Sequence, residues 1–134
     1  MNKKRAKQPD LMLGQLPVET INQVLELELE AGEVVISTAA QRHAASRHPN
    51  EYSICLPLLA GVIASPLYVG DDFRNEGKIE IVGGSVPPDG LLLIAVCIEP
   101  DGEGRYHVAS FYPISRTKAQ NRREKGRLKV AVKR

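Results

Sequence analysis

The sequence predicts an α+β domain in which N-terminal helices pack on an antiparallel β-sheet meander. In the first half of the chain, apolar residues recur at helical spacing, whereas the second half contains three β-rich runs joined by the turn segments VPPDG and DGEG. The chain has 134 residues, of which 43% are hydrophobic and 25% charged, as is typical of one globular core. Since no apolar run reaches the roughly 18 residues that span a bilayer, we expect no membrane partner.

Two helices with a short strand between them are predicted first. The segment LPVETINQVLELELEAGE predicts a helix that has Pro17 in its first turn and ends at Gly32. The run EVVI that follows is β-like. Ser37 or Thr38 then offers an N-cap oxygen for a second helix through AAQRHAASRH, and Pro49 marks its end.

The remainder of the first half is predicted to be a bent helix followed by extended chain. The segment NEYSICLPLLAGVIAS predicts a helix over residues 51–63, with a bend at Pro57. Pro66 disfavours helical geometry in the residue before it, so LYVG is expected to be extended.

The β-rich runs of the second half are KIEIVGG, GLLLIAVCIEP and RYHVASFYPIS. The central run is apolar on both faces, which predicts a middle strand that is covered on both sides. In the third run, strand alternation places Tyr106, Val108, Ser110 and Tyr112 on one face. His107 falls on the other face, where a structural role is expected.

A basic segment closes the chain. SRTKAQNRREKG predicts a short helix that is capped by Ser115 and stopped by Gly126. RLKVAVKR is predicted to be a final edge strand or a tail. The chain therefore divides into a basic arm over 1–10, a domain over 11–126 and a basic strand or tail over 127–134.

The overall charge of +2 is the sum of three segments that differ strongly in net charge. Residues 1–7 carry +4, and residues 114–134 carry nine basic side chains against Glu124. Residues 8–113 carry fifteen acids against five bases. Basic ends on an acidic body predict a polyanionic partner that is attracted through its phosphates, although a solvated basic tail is an equally good interpretation of charge alone.

Common catalytic signatures are absent from the sequence: there is no GxxxxGK[ST], HExxH, GxSxG or EF-hand loop. Cys55 and Cys97 lie in apolar segments without zinc-site spacing, so both are predicted to be small buried hydrophobes, with one disulfide left open. The three histidines and the scattered acids match no usual ligand spacing. We therefore expect neither a metal nor another cofactor.

Two clusters of polar side chains are candidates for chemistry. His43 and Arg47 are four residues apart on one face of the second helix, and His48 follows at its end. An imidazole moves protons near neutral pH, and a guanidinium holds a phosphate oxygen. Ser110 could bind a second phosphate oxygen, and Tyr112 could stack on a base. Taken singly, each of these residues fits a structural role at least as well; together they predict a phosphodiester site.

The chain also resembles a known family. The succession GEVVIS, RHAASRHP, CLPLLAGVIASPLYVG, LLLIAVCIEP and YHVASFYPIS resembles the phage-associated barnase/EndoU/colicin/RelE-like nucleases, which occur in phage polyvalent proteins and toxin modules. The resemblance covers residues 16–126. It implies a helical part packed on an antiparallel sheet, with an RNA-cleaving site between them and no metal.

The resemblance further implies cleavage by attack of the ribose 2′-hydroxyl, which leaves a 2′,3′-cyclic phosphate. The family's motif positions fall on His43, Arg47, His48, Ser110 and Tyr112, with the base and acid roles of the two histidines left open.

RNA, with tRNA as one candidate, is the expected substrate, and a cognate inhibitor or immunity protein is the expected partner. We expect the site of action to be cytoplasmic, with delivery into a target cell as an open alternative. The expected RNA-binding residues are Arg116, Thr117, Lys118, Arg122, Arg123 and Lys125.

Two other functions remain open at this point. A non-catalytic nucleic-acid-binding protein would use the basic C-terminal segment on phosphates, through Lys118, Arg122, Arg123, Lys125, Arg127 and Lys129. A protein-binding module would keep its basic ends for solubility and would show no affinity for RNA at moderate salt.

Overall fold

The structure is a computed structural model that describes residues 10–47, 49–71 and 77–131. His48 and nearly all of the predicted basic arm lie outside these described residues. No helix within them has the length and apolar character that crossing a bilayer requires.

The strands are β1 (Leu11–Gln15), β2 (Glu33–Ile36), β3 (Tyr68–Asp71), β4 (Lys78–Val86), β5 (Gly90–Cys97), β6 (Tyr106–Ser115) and β7 (Lys129–Val130). The helices are α1 (Val18–Leu25), α2 (Thr38–Arg47), α3 (Pro49–Cys55), α4 (Leu59–Ala64) and α5 (Arg116–Glu124), with a 3₁₀ turn at Leu56–Leu58.

The seven strands of the described ranges form one sheet in the order β1-β2-β6-β5-β4-β3-β7. Strands β4, β5 and β6 form the predicted antiparallel meander, and β7 pairs with β3 at one edge. The pairing of β2 with β6 is parallel, whereas the other described pairs are antiparallel. The predicted α+β class is confirmed, and Lys129–Val130 of the C-terminal run form an edge strand.

Helices cover the two faces of the sheet unequally. The larger core cluster joins Ile21, Leu59 and Ile63 of the helices to alternate residues of β4 and β5, such as Ile81 and Leu92. The intervening residues face the other side, where Leu91 and Leu93 pack with Ala119 of α5 and with Leu128. Every residue over Leu91–Val96 is buried, as predicted for a strand covered on both sides.

Three predicted local signals are found in the structure. The Ser37 hydroxyl accepts the Ala40 N–H at 3.1 Å at the start of α2, and the Ser115 hydroxyl accepts the Lys118 N–H at 3.0 Å at the start of α5. Pro57 lies in the 3₁₀ turn that interrupts the helical segment. Helix α2 ends at Arg47, two residues before Pro49, and Pro49 is itself the first residue of α3.

The N-terminal region departs from the prediction in two ways. Strand β1 is an element that the sequence analysis missed, and α1 ends at Leu25 instead of continuing to Gly32. Glu26 has a left-handed φ of 57°, which terminates the helix. The Asn22 side chain then holds the loop, because it accepts the Leu29 N–H at 2.8 Å and donates to the Leu29 carbonyl at 2.9 Å. The helical spacing of the leucines therefore continues into a segment that is not helical.

A β-bulge in β6 overturns the predicted alternation of that strand. Ala95 pairs with Ser110 but Val96 pairs with Val108, so Ala109 is an extra residue. Before the bulge, Val108 packs in the larger core cluster. After the bulge, Phe111 packs in that cluster, and Tyr112 packs on the opposite face of the sheet, in the cluster that contains Leu91 and Leu93. The prediction that Tyr106, Val108, Ser110 and Tyr112 share one face is wrong, because the bulge reverses the alternation.

Both cysteines are free thiols. Cys55 is fully buried, as predicted, and burial, with a smaller contribution from the Glu51 carboxylate, raises the pKa of its thiol. Cys97 at the end of β5 is only half-buried, so the prediction of a second buried cysteine is wrong.

The close approach of β3 to the segment before β7 gives a test of the packing. A Cβ on Gly70 would overlap the Arg127 carbonyl oxygen and lie 2.8 Å from the Leu128 side chain. Gly70→Ala is expected to lower the free energy of unfolding by about 1–3 kcal/mol, measured by urea denaturation. The matched Gly61→Ala in α4 meets no atom within 4 Å and should raise it by about 0.5–1 kcal/mol. Equal effects of the two substitutions would contradict this packing.

Candidate active site

A cavity of about 270 Å³ lies between α2 and the part of β6 that follows its pairing with β2. Strand β2 pairs with β6 at only two positions, Val34 with Tyr106 and Val35 with His107. After Ile36 and Ser37 the chain enters α2, which contacts β6 beyond the paired region. Helix α2 therefore takes the place beside β6 that a longer β2 would occupy.

Polar contacts at its first turn fix the position of α2. The Gln41 side chain is fully buried, and its Nε2 donates to the Ile36 carbonyl at 3.2 Å. The Asp10 carboxylate accepts the Thr38 N–H at 3.0 Å, in addition to the cap provided by Ser37. These contacts tie the start of the helix to the end of β2, so the two elements are positioned as one unit.

The α2 wall of the cavity consists of Ala40, His43, Ala44 and Arg47. These residues recur at intervals of three and four, which places them on one helix face. Ala40 and Ala44 are partly buried and pack against the larger core cluster, while His43 and Arg47 are exposed. The small alanines bring the helix close to the sheet and leave the imidazole and the guanidinium at the cavity rim.

The opposite wall consists of four consecutive β6 residues, Ala109 to Tyr112. The Phe111 ring is buried and lies 6.1 Å from the Tyr52 ring of α3, which anchors the strand beneath the cavity. Ser110 is exposed, and Tyr112 is half-buried. Because the bulge at Ala109 breaks the alternation, neighbouring residues of β6 contribute to one cavity.

The cavity brings together four of the five predicted catalytic residues, namely His43, Arg47, Ser110 and Tyr112. The fifth, His48, lies outside the described residues. The assembled groups can transfer a proton through the imidazole, hold a phosphoryl oxygen through the guanidinium, and donate hydrogen bonds through two hydroxyls. This combination suits a phosphodiester.

Arg47 gives the cavity wall a positive charge, and none of the described residues that line it is acidic. Glu33 at the start of β2 and Glu51 in α3 do not line the cavity either. Elsewhere in the described ranges, no three His, Cys, Asp or Glu side chains are grouped so that they could hold a metal ion. The wall thus favours an anion over a cation.

The predicted RNA-binding residues, five in α5 and Lys125 just after it, lie away from this cavity, on the other side of the sheet. Arg116 pairs with Asp89 at 3.0 Å, Arg122 pairs with Glu80 at 3.0 Å, and the Arg123 guanidinium lies 5.9 Å from the centre of the Tyr68 ring. Thr117, Lys118 and Lys125 are exposed. These six residues form a separate basic surface, which we call the α5 surface.

His107, near the start of β6, contacts the turn that joins β5 to β6. Its Nε2 lies 2.8 Å from an Asp101 carboxylate oxygen, and Arg105 Nε donates to the same oxygen at 3.2 Å. Asp101 also accepts the backbone N–H groups of Arg105 and Glu103, at 3.0 Å and 2.8 Å. The Arg105 N–H and the His107 ring hold the pKa of the Asp101 carboxyl well below its usual range. His107 is engaged in this turn, as expected of a structural histidine.

Residues that shape the cavity without carrying chemistry were not among the predicted site residues. Ala40, Ala44 and Phe111 line it, and Gln41 fixes the helix that bears His43. One signal for the alanines was present: they alternate with His43 and Arg47 at helical spacing, so both pairs occupy one helix face. The burial of Gln41 depends on a contact with β2 and has no comparable local signal.

Comparison with protein families places most of the chain in a nuclease family. Residues 12–121 match the family described as phage-Barnase-EndoU-ColicinE5/D-RelE like nuclease3. The matched region begins in β1, includes both walls of the cavity and ends within α5. No curated protein and no solved structure matches the chain.

The Asp101 turn yields a prediction on acid stability. A carboxyl whose pKa is lowered by folding stabilises the folded state above its unfolded pKa, about 3.9, and this contribution is lost as the pH falls below that value. Asp101→Asn should therefore lower the free energy of unfolding at pH 7, and its difference from the wild type should shrink as the pH falls below about 4. Denaturant unfolding at a series of pH values measures this. The control Asp89→Asn, at an exposed ion pair, should change the pH dependence of the free energy of unfolding less. If Asp101→Asn and the wild type show the same pH dependence, Asp101 is not the group that stabilises the folded state.

Proposed function

The chain belongs to the phage-Barnase-EndoU-ColicinE5/D-RelE like nuclease family, and from this membership we propose that it is a metal-independent endoribonuclease. Membership makes it a nuclease that acts on nucleic acid. The finer assignment to RNA is supported by one observation above all: His43, Arg47, Ser110 and Tyr112, from two distant segments, line one cavity.

The proposed reaction uses a nucleophile that the substrate itself supplies. A base removes the proton of the ribose 2′-hydroxyl, the 2′-oxygen attacks the adjacent phosphorus, and the bond to the departing 5′-oxygen breaks. An acid protonates that oxygen, so the products carry a 2′,3′-cyclic phosphate and a 5′-hydroxyl. This chemistry needs two groups for proton transfer and cations for the phosphoryl oxygens.

His43 serves as one of the two proton-transfer groups. Its ring is exposed at the cavity rim, where it can reach a bound strand. His48 is the second candidate on the strength of the sequence motif, and Tyr112 contributes a hydroxyl from the facing wall or a ring on which a base stacks. Because no described lining residue is acidic, the proposal assigns no carboxylate base.

Arg47 and Ser110 act on the phosphate itself. Arg47 lies one helical turn beyond His43 and can hold a nonbridging oxygen through its fixed N–H donors. Ser110 is exposed on the facing wall and donates its hydroxyl to the same group. As negative charge develops on the phosphoryl oxygens, these donors stabilise it without having to reorganise.

RNA is favoured over DNA because the proposed nucleophile is the 2′-hydroxyl, which DNA lacks. A tRNA is one RNA substrate that this chemistry accepts. An active ribonuclease endangers the cell in which it acts, so we further propose that a cognate inhibitor, rich in acidic residues, covers the cationic cavity. The proposed site of cleavage is the cytoplasm, either of the producing cell or of a target cell.

The central test is cleavage of total RNA in EDTA by the purified protein. Cleavage should persist in EDTA, and His43→Ala should lower kcat/KM by about 100-fold or more, because general acid–base catalysis is lost. End-group analysis of the fragments should find 2′,3′-cyclic phosphates. His107→Ala is the matched histidine control and should keep activity close to the wild type, since His107 bonds to Asp101 outside the cavity. Equal activity in wild type and His43→Ala would reject the assignment and would indicate a contaminating nuclease.

The α5 surface is proposed to hold the RNA backbone and not to take part in the reaction. Lys118 and Lys125 are exposed, and α5 packs on the side of the sheet opposite the larger core cluster. Without catalysis, this surface would act as the phosphate-binding element of a nucleic-acid-binding protein.

Neutralising the α5 surface gives a separate prediction. Lys118→Gln/Lys125→Gln should weaken binding of single-stranded RNA and reduce the slope of log K against log salt by about 1.4, if each lysine neutralises one phosphate. Fluorescence anisotropy over a salt series measures this. The cleavage products and the dependence on His43 should stay the same. A slope identical to that of the wild type would remove the two lysines from the interface.

A further inference from the structure

A second cavity, of about 390 Å³, lies between α3, the turn that joins β4 to β5, and the end of β6. Its wall is largely apolar, with contributions from Ile54, Val86, Pro87, Pro88, Pro113 and Ile114. Ile54 is 46% exposed although its side chain is large and apolar. The function described above does not use this cavity.

The two cavities follow one another along the same elements. On β6, the first cavity extends to Tyr112 and the second begins at Pro113. On the helical side, the first extends to Arg47 at the end of α2 and the second begins at Asn50 in α3. At a strand rise of about 3.3 Å per residue, Ser110 and Ile114 are separated by about 13 Å along β6. A strand of RNA bound at the first cavity can therefore enter the second.

The charges of the two cavities differ in sign. His43 and Arg47 line the first, whereas Glu51 and Asp89 are the ionisable residues that line the second. The Asp89 carboxylate, which lines the second cavity, accepts a hydrogen bond from Arg116. Carboxylates repel a phosphate but accept hydrogen bonds from the amino and imino groups of a base. The apolar surfaces of Pro88 and Ile54 can contact the face of a base.

We propose that the second cavity is a nucleobase-binding subsite, which takes a base flanking the phosphate held at His43 and Arg47. The inference rests on the proposed ribonuclease function and adds to it a source of sequence preference. Apolar contact with the base supplies the affinity, and the polar groups at the rim, which include Asn50 and Ser115, discriminate between bases.

The experiment compares cleavage of an oligoribonucleotide that has one preferred site with versions that carry an abasic ribose at each position flanking that site. For the wild type, loss of the base that occupies the subsite should lower kcat/KM by about tenfold, because its apolar contacts with the cavity wall are lost. In Ile54→Ala, removal of the same base should lower kcat/KM by only about threefold, because the side chain that contacts the base is truncated.

Leu67→Ala is the matched control, because Leu67 is also 46% exposed and lines neither cavity. It should keep the wild-type ratio between intact and abasic substrates. An Ile54→Ala ratio equal to that of the wild type would overturn the subsite while leaving the ribonuclease proposal intact.

A binding measurement keeps the inference testable if the protein does not cleave RNA. The four ribonucleosides carry no phosphate, so their binding does not depend on the reaction. On titration of each into the wild-type protein, at least one should shift the methyl NMR resonances of Val86 and Ile54 saturably, and Ile54→Ala should weaken that binding several-fold. Saturable shifts without RNA cleavage would support the subsite and reject the ribonuclease function. No shift up to the solubility limit of every nucleoside would overturn the subsite.

Discussion

The short parallel pairing between β2 and β6 is the constraint on which the candidate site depends. Two residues of β2 pair with the start of β6, and the chain then turns directly into α2. A longer β2 would pair along β6 and leave no cavity beside it. Because β2 stops early, and because Gln41 bonds back to the Ile36 carbonyl, α2 lies against the strand with its His43 face directed at the bulge.

The bulge at Ala109 and the alanines of α2 complete this arrangement. An extra residue in β6 turns Ser110 and Tyr112 away from the positions that regular alternation would give them. Ala40 and Ala44 allow the helix to approach the sheet, so that polar side chains of the two elements line a single cavity. Catalysis by such groups depends on positions held within a fraction of an ångström, which rigid elements provide better than loops.

The α+β class and most elements were predictable because their signals are local. Turn compositions separate the three meander strands, and serine caps mark the starts of α2 and α5. The candidate residues His43, Arg47, Ser110 and Tyr112 also followed from the sequence, through residue chemistry and family resemblance. Their positions around one cavity did not follow from it. That geometry requires the β2–β6 pairing and the bulge, both of which arise from contacts between segments distant in sequence. The end of α1 was mispredicted for a related reason, since Asn22 stabilises a loop in which the leucines keep helical spacing.

NMR of the histidine rings tests whether a phosphate binds between α2 and β6, beside His43, as proposed. The protein is titrated with a dinucleotide whose 2′-hydroxyl is replaced by hydrogen, so that it binds without being cleaved. Saturable shifts of the His43 ring resonances, weakened in Ser110→Ala, are expected, while those of His107 stay unchanged. Saturable binding that leaves the His43 resonances in place would contradict the proposal.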